Sequence, residues 1–352
     1  MSESKEKQPL LKIDDLHVSF LTYAGKVQAV RGVSLSMQEG EILAIVGESG
    51  CGKSVTAQTI LQLNPSPPSV VEGGSIELEG RDLLKLDDAK MRAIRGHEIS
   101  MIFQDPMTSL NPVYKIGKQV GEGLRLHRGY SKQEALKRAT ELLDLVGIPE
   151  PEKRVNEYPH QFSGGMRQRV MIAMALACDP DILIADEPTT ALDVTIQAQI
   201  IELMQEMQEK NGNAIIMITH DLGVVADMAD KIMVMYAGRP VEFGTAEEIF
   251  YESRHPYTWG LIRSIPEQAI DEKKPLTPIH GNPPSLMNLP EGCVFSPRCP
   301  YATDKCRKQR PERVVTESGH YSACHYSGDP EFLKNAPETS RTRMDSKKGG
   351  EA

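Results

Sequence analysis

The sequence has little that would place it in a membrane or on nucleic acid. Its formal net charge is -9 over 352 residues, whereas a protein that binds nucleic acid or anionic lipid non-specifically needs a basic face. The longest apolar runs, such as VMIAMALA (170–177), are far shorter than the roughly 20 residues that span a bilayer. The N-terminal MSESKEKQPLLKI lacks the apolar core of a signal peptide. We therefore expect a cytosolic chain with no transmembrane segment and no nucleic-acid partner.

Cysteine is also scarce, and four of the six cysteines are clustered near the end of the chain. In a reducing compartment such a cluster favours a metal site over disulfides. The intervals of five, six and seventeen residues differ from the paired C-x₂-C spacing of a zinc ribbon. Four thiolates in a proline-rich segment suit an iron–sulfur cluster, with Zn²⁺ or unliganded thiols as the alternatives. The four residues are Cys293, Cys299, Cys306 and Cys324.

Apolar strands alternate with helical segments through much of the chain. EILAIVG (41–47), DILIAD (181–186) and AIIMIT (214–219) read as buried strands, and SGGMRQRVMIAMALA (163–177) as a helix capped by its serine. This alternation predicts an α/β fold with a largely parallel sheet. Residues 11–80 read as β-rich, and residues 84–160 as helical.

The clearest predicted helix lies in SKQEALKRATELLDLVGIPEP (131–151). Ser131 and Glu134 have the spacing of a capping box. Its apolar residues recur on one face, which predicts a packing helix. The expected buried stripe is Ala135, Leu136, Ala139, Leu142, Leu143 and Val146.

The sequence GESGCGKS (47–54) directly follows an apolar strand and fits the phosphate-loop pattern G-x-x-x-x-G-K-[ST]. Glycines let backbone N–H groups turn towards phosphate oxygens, and the following helix N-terminus favours an anion. Lys53 would reach the β- and γ-phosphates, and Ser54 would ligate Mg²⁺. Cys51 occupies a free position and is expected to be a bystander. The loop residues predicted to bind nucleotide are Gly47, Gly50, Gly52, Lys53 and Ser54.

An acidic pair follows another buried strand in ILIADEP (182–188). Asp186 would orient the Mg²⁺ shell that a phosphate loop requires. Glu187, the next residue, would polarise an attacking water, which favours hydrolysis over nucleotide binding alone.

Four further motifs, in order along the chain, resemble those of ATP-binding cassette (ABC) proteins. Gln104 in IFQDP resembles the Q-loop, QFSGGMRQR (161–169) the signature, ALD (191–193) the D-loop, and His220 in ITHD the switch histidine. The resemblance covers about residues 11–250. It implies a P-loop NTPase-type ABC nucleotide-binding domain with a mostly parallel sheet core, an antiparallel β subdomain and a helical subdomain.

The resemblance also implies a mechanism in which two cassettes face each other head to tail and sandwich ATP. Glu187, His220 and Gln104 would be catalytic, and Ser54, Gln104 and Asp186 would surround Mg²⁺. Phe20 or, second, Tyr23 would stack on adenine. The signature motif and D-loop would serve the nucleotide across the dimer; these residues are Ser163, Gly164, Gly165 and Asp193.

The late segments RHPYTWGLIRSIP (254–266), IHGNPPSL (279–286) and GCVFSPRCPYATDKC (292–306), with FQDPMTSLNP (103–112), resemble oligopeptide and dipeptide importer ATPases. This implies a peripheral subunit on the cytoplasmic face of the membrane. Its partners would be a paralogous second ATPase, two permease subunits and, indirectly, an extracytoplasmic peptide-binding protein. Members with this cysteine pattern resemble [4Fe-4S] carriers. A nickel importer and a soluble ABC regulator of ribosomes or DNA are the alternatives.

These patterns predict the following domain organisation. A polar tail (1–10) precedes the ATPase domain (11–254), whose helical subdomain spans about 105–175. An importer-type C-terminal domain with the four cysteines (255–326) and a disordered tail (327–352) complete the chain.

Overall fold

The computed structural model describes residues 8–189, 194–226, 228–265 and 279–337. These residues form two compact units, and each unit collects separate stretches of the chain. The first unit contains the described residues within 1–11, 37–41 and 78–218, and the second those within 12–36, 42–77 and 219–352. No helix among the described residues is long and apolar enough to cross a membrane.

The first unit contains a parallel sheet in the order β8-β7-β6 and a set of helices. All residues of β7 are buried, as expected for a parallel strand covered on both faces. The strands are β5 (Arg81–Asp82), β6 (Ile99–Ile102), β7 (Ile182–Asp186) and β8 (Ala214–Thr219). The helices are α2 (Asp88–Ile94), α3 (Pro106–Ser109), α4 (Ile116–His127), α5 (Lys132–Leu145), α6 (Pro151–Arg154), α7 (Gly164–Leu176) and α8 (Val194–Asn211).

The second unit has one sheet segment in the order β2-β1-β4 and another in the order β11-β12-β10-β9-β3. In the latter, β3 and β9 are parallel, whereas β9, β10, β12 and β11 pair antiparallel. The strands are β1 (Leu11–Thr22), β2 (Gly25–Met37), β3 (Ile42–Val46), β4 (Ser69–Leu78), β9 (Lys231–Tyr236), β10 (Arg239–Thr245), β11 (Val314–Val315) and β12 (Tyr321–Ser322). The helices are α1 (Lys53–Ile60), α9 (Leu222–Val225), α10 (Ala246–Tyr251), α11 (Pro256–Ile262), α12 (Asp304–Lys308) and α13 (Pro330–Leu333).

Local sequence explains how several helices begin. The capping box of Ser131 and Glu134 is confirmed at the start of α5, and Ser163 caps α7. The predicted stripe of α5 is buried except at Leu136, which is 40% exposed. Leu136 lies at the edge of the stripe, where periodicity alone cannot decide burial.

The structure differs from the sequence-based prediction in two segments. Residues 84–160 were expected to be helical, but β6 lies within them. Its four residues are too few to show a strand period. The predicted disordered tail also begins too early, since α13 forms after residue 327 and its Phe332 packs on Trp259 and Tyr301. Residues 338–352 of that tail lie outside the described residues.

Candidate functional site

The phosphate loop joins β3 to α1, and its own backbone explains its glycines. Gly47 has φ +152°, and a Cβ there would lie 2.2 Å from the Met235 carbonyl oxygen. Gly52 has φ +100°, and a Cβ would lie 2.3 Å from the Ala29 carbonyl oxygen. Neither approach is possible for a larger residue. Gly50 also has a positive φ, of +76°, but faces open space.

Lys53 lies inside this loop and is 4% exposed. Its ammonium group donates to the carbonyl oxygens of Gly47 at 2.7 Å and Glu48 at 3.2 Å. A bound phosphate would offer the same group an anionic acceptor, which gives a stronger hydrogen bond than a carbonyl. Ser54 is half-buried at the start of α1.

Cys51 is 4% exposed and lies under the loop. Its sulfur is 3.9 Å from the Lys53 ammonium nitrogen, and it would lie 2.9 Å from a Cβ at Gly47. Burial raises the pKa of the Cys51 thiol, which keeps it protonated at neutral pH. The thiol is therefore placed to fill space beneath the loop.

The acidic pair lies at the carboxyl end of β7 in the first unit. Asp186 is 2% exposed. Glu187 has φ +48°, and its backbone N–H donates to the Ile218 carbonyl at 2.9 Å. The Gln104 side-chain amide donates to the Glu187 carboxylate at 3.1 Å. The structure therefore brings together two residues that are 83 positions apart and that were both predicted to be catalytic.

The signature serine and glycines lie where α7 begins. The Ser163 hydroxyl accepts the Met166 N–H at 3.3 Å. A Cβ on Gly164 would meet no described residue outside its own helical turn within 4 Å, so packing among the described residues does not require this glycine. Gly165 follows in the first turn of the helix.

Sequence reasoning missed Gln168, two positions after the Ser-Gly-Gly-Met segment. Its side chain is fully buried, and its amide donates to the Pro188 carbonyl. It thereby connects α7 to the segment that follows Glu187. A glutamine on the buried face of a helix was the available signal, because a buried amide requires a hydrogen-bonding partner.

The other predicted site residues occupy different environments. His220 is exposed directly after β8. Phe20 is half-buried and Tyr23 is fully exposed. Asp193 lies outside the described residues.

All four clustered cysteines line one small cavity, together with aromatic side chains. The Cys293 N–H donates to the Cys306 carbonyl at 2.8 Å. Burial raises the pKa of Cys299 to about 11 and of Cys324 to about 12. No group of three or more His, Cys, Asp or Glu side chains in the described part of the chain is arranged to hold a metal ion. The described residues therefore show no preformed metal site, and the iron–sulfur prediction is not supported by the structure. The four thiols nevertheless line the same cavity.

Comparison with known proteins gives two family matches. Residues 30–190 match the family described as ABC transporter. Residues 241–306 match the family described as oligopeptide/dipeptide transporter, C-terminal region.

Three individual proteins illustrate the similarity. The oligopeptide transport ATP-binding protein OppD of Bacillus subtilis (strain 168) is 58% identical over 89% of this chain and 87% of its own. The dipeptide transport ATP-binding protein DppD of the same organism is 55% identical over 90% of this chain and 94% of its own. A dimeric ATP-binding cassette solved in a post-hydrolysis state with ADP and Pi has a TM-score of 0.61 and 30% identity, and the match covers 67% of this chain and 98% of that one.

Proposed function

This chain belongs to the ABC transporter family, and we propose on that premise that it is the ATP-hydrolysing subunit of an importer for oligopeptides or dipeptides. The observation that carries the substrate class is the match of residues 241–306 to the C-terminal region of peptide transporters. A cassette alone would specify only the ATPase. The relatives named for oligopeptide and dipeptide transport cover both the cassette and this later region.

We assign the chemistry to the residues at the two strand ends. Lys53 and the loop N–H groups would hold the phosphates, and Asp186 would orient Mg²⁺ with Ser54. Glu187 would polarise the attacking water. The Gln104 amide donates to the Glu187 carboxylate and would hold that carboxylate in place. His220, exposed after β8, would contact the γ-phosphate.

The opening beside Gly164 supports a role in a nucleotide-sandwich dimer. An N–H group at a helix start attracts an anion, and a Cβ added at Gly164 would meet no described residue outside its own helical turn within 4 Å. The signature segment Ser163–Gly165 would therefore face the nucleotide of a second, paralogous ATPase. Two permease subunits and an extracytoplasmic peptide-binding protein complete the proposed importer, with this chain peripheral on the cytoplasmic face.

The test is uptake of a labelled short peptide by cells that carry either the wild-type chain or Glu187→Gln. We expect peptide uptake to be lost and ATP binding to be retained, since an amide cannot accept the proton of the attacking water. Glu206→Gln is the matched control, because Glu206 pairs with Lys210 on an exposed helix face. Nickel uptake run in parallel tests the nickel-importer alternative. Normal peptide uptake by Glu187→Gln would contradict the assignment.

We further propose that the four cysteines hold a [4Fe-4S] cluster. The donor set fits, because four soft thiol ligands and no carboxylate line the cavity. A cluster places several atoms between its ligands, so they stand further apart than the ligands of a single ion. The four thiolates would bind the iron atoms, and the aromatic lining would exclude water. The bound cluster would have a structural role, since it would connect the turns that carry the four cysteines.

Anaerobic purification followed by iron, sulfide and zinc analysis tests the cluster. We expect iron and acid-labile sulfide in equal amounts, with loss of both in Cys299→Ser. Cys178→Ser is the control, because Cys178 belongs to the first unit, whereas the four clustered cysteines belong to the second. Zinc without sulfide would replace the cluster by a zinc site.

A further inference from the structure

We propose that Arg298 positions the phosphate loop through Glu48, so that the C-terminal extension is part of the nucleotide site. This inference rests on the proposed ATPase function. It concerns two residues that sequence reasoning did not select, and that are 250 positions apart. Both belong to the second unit.

Glu48 is the second residue of GESGCGKS and is held at three points. Its backbone N–H donates to the Tyr257 hydroxyl at 2.8 Å. Its carbonyl accepts from the Lys53 ammonium at 3.2 Å. Both carboxylate oxygens accept from the Arg298 guanidinium, at 2.5 and 2.9 Å. Two of these three partners, Tyr257 and Arg298, come from the C-terminal extension.

Every N–H donor of the Arg298 guanidinium has an acceptor. Its side chain is 4% exposed. Besides the two bonds to Glu48, it donates to the carbonyls of His280 at 2.9 Å and Ile279 at 3.2 Å, and to the Tyr236 hydroxyl at 3.3 Å. A guanidinium has five N–H donors in a fixed planar fork, and these five bonds use all of them. The bonds to Glu48 raise the pKa of Arg298 further above its usual value.

An aromatic cluster fixes the direction from which Arg298 approaches. Tyr236 packs on Tyr257 and Phe295 with ring centroids 4.6 and 5.2 Å apart, and Tyr257 packs on Phe295 at 5.4 Å. Phe295 begins the turn that carries Arg298, since its carbonyl accepts the Arg298 N–H at 3.0 Å. The rings and the ion pair therefore form one packed group against the loop.

The charge of Glu48 gives this contact its consequence for ATP. A carboxylate beside a loop that receives a triphosphate would repel it unless a cation neutralises the carboxylate. Arg298 supplies that cation, and at the same time it holds the Glu48 carbonyl where Lys53 contacts it. Loss of Arg298 would free the carboxylate and release the loop together. If the charges of both Arg298 and Glu48 were removed, the repulsion between Glu48 and the triphosphate would be removed as well.

The experiment is titration of MgATP into the purified full chain by calorimetry, with melting temperatures recorded for each variant. We expect Arg298→Gln to raise the Kd about tenfold or more, and the double variant with Glu48→Gln to recover much of that loss. Arg298→Lys should be intermediate, because a lysine keeps the charge but not the fork. Arg307→Gln is the matched control, since Arg307 forms an exposed ion pair with Asp304 in the same segment.

The outcomes separate this inference from the proposed function. If the wild-type chain does not bind MgATP, the proposed function fails. If it binds and Arg298→Gln binds equally well, or if the effects of the two substitutions simply add, only the positioning role of Arg298 is overturned. A purely structural role would lower the melting temperature without recovery of affinity in the double variant. Should Arg298→Gln not fold, Arg298→Lys and Glu48→Gln carry the same comparison.

Discussion

Replacing Gly164 with alanine should separate the needs of folding from those of function. Gly164 opens α7, and in the described part of the chain a Cβ there would meet nothing outside its own helical turn within 4 Å. Alanine is favoured over glycine in helices by up to about 1 kcal/mol, so the folded chain should be unaffected or slightly stabilised. If the N–H groups of this turn bind a γ-phosphate across a dimer, the added methyl would obstruct that approach. Loss of one hydrogen bond to a charged group costs about 1.5–3 kcal/mol, which corresponds to roughly tenfold to a hundredfold slower hydrolysis.

Two measurements on Gly164→Ala are needed. Thermal unfolding and MgATP binding of the purified chain should match the wild type, whereas ATP hydrolysis by the assembled transporter should fall. Gly73→Ala is the control, because Gly73 also has open space at its Cβ position and no positive φ. Gly47→Ala should fail differently, by losing ATP binding in the isolated chain, because its Cβ would overlap the Met235 carbonyl. Unchanged hydrolysis by assembled Gly164→Ala would refute the dimer argument.

Two other predictions concern the packing and protonation of the second unit. Trp259 is fully buried, donates to the Ser253 carbonyl at 2.9 Å and packs on Phe332. Trp259→Ala should therefore lower the free energy of unfolding by about 3–5 kcal/mol, and Trp259→Phe should lower it by less. Denaturant titration followed by circular dichroism measures both changes. Burial lowers the pKa of His255 to about 3, because the buried ring is more stable in its neutral form. The resulting contribution to stability is complete above the unfolded pKa of about 6.5. It is lost as the pH falls towards 3, at up to about 1.4 kcal/mol per pH unit. His255→Asn keeps a side-chain acceptor for the Tyr257 N–H and should flatten this part of the pH dependence of unfolding; an unchanged slope would show that His255 is not its source.

The sequence was sufficient for features whose cause is local. The glycines at 47 and 52 were predicted from the phosphate-loop pattern, and the structure supplies the reason in the carbonyls that touch them. The cap of α5 needed only the spacing of Ser131 and Glu134. The strand β7 was readable because it is apolar throughout. The cap and the strand are determined within their own segments. The glycines are the exception, because the loop pattern identifies them although the carbonyls that require them belong to Met235 and Ala29.

Features that depend on distant contacts were not predictable in this way. The helix α13 is short, and what orders it is the packing of Phe332 on residues more than 30 positions earlier. The convergence of the four cysteines could be suspected from clustering, but their spacing left the ligand open. Glu48 resembled an ordinary free position of the phosphate loop, because its partner lies 250 residues away.

The sheet explains why that distant partner reaches the loop. Strands β3 and β9 are parallel neighbours, with Val46 opposite Val234. Two residues further on, Glu48 and Tyr236 therefore emerge at the same carboxyl edge, where ligands of open α/β sheets bind. Because Tyr236 lies next to the phosphate loop in this register, any segment that packs on the ring of Tyr236 also lies beside the loop. The extension covers this edge with Tyr257 and Phe295. The predicted boundary at residue 254 separates the motifs of the ATPase domain from those of the C-terminal extension. It also divides one packed group, because Tyr236 lies before the boundary and Tyr257 and Phe295 lie after it. That group holds the first residues of the phosphate loop.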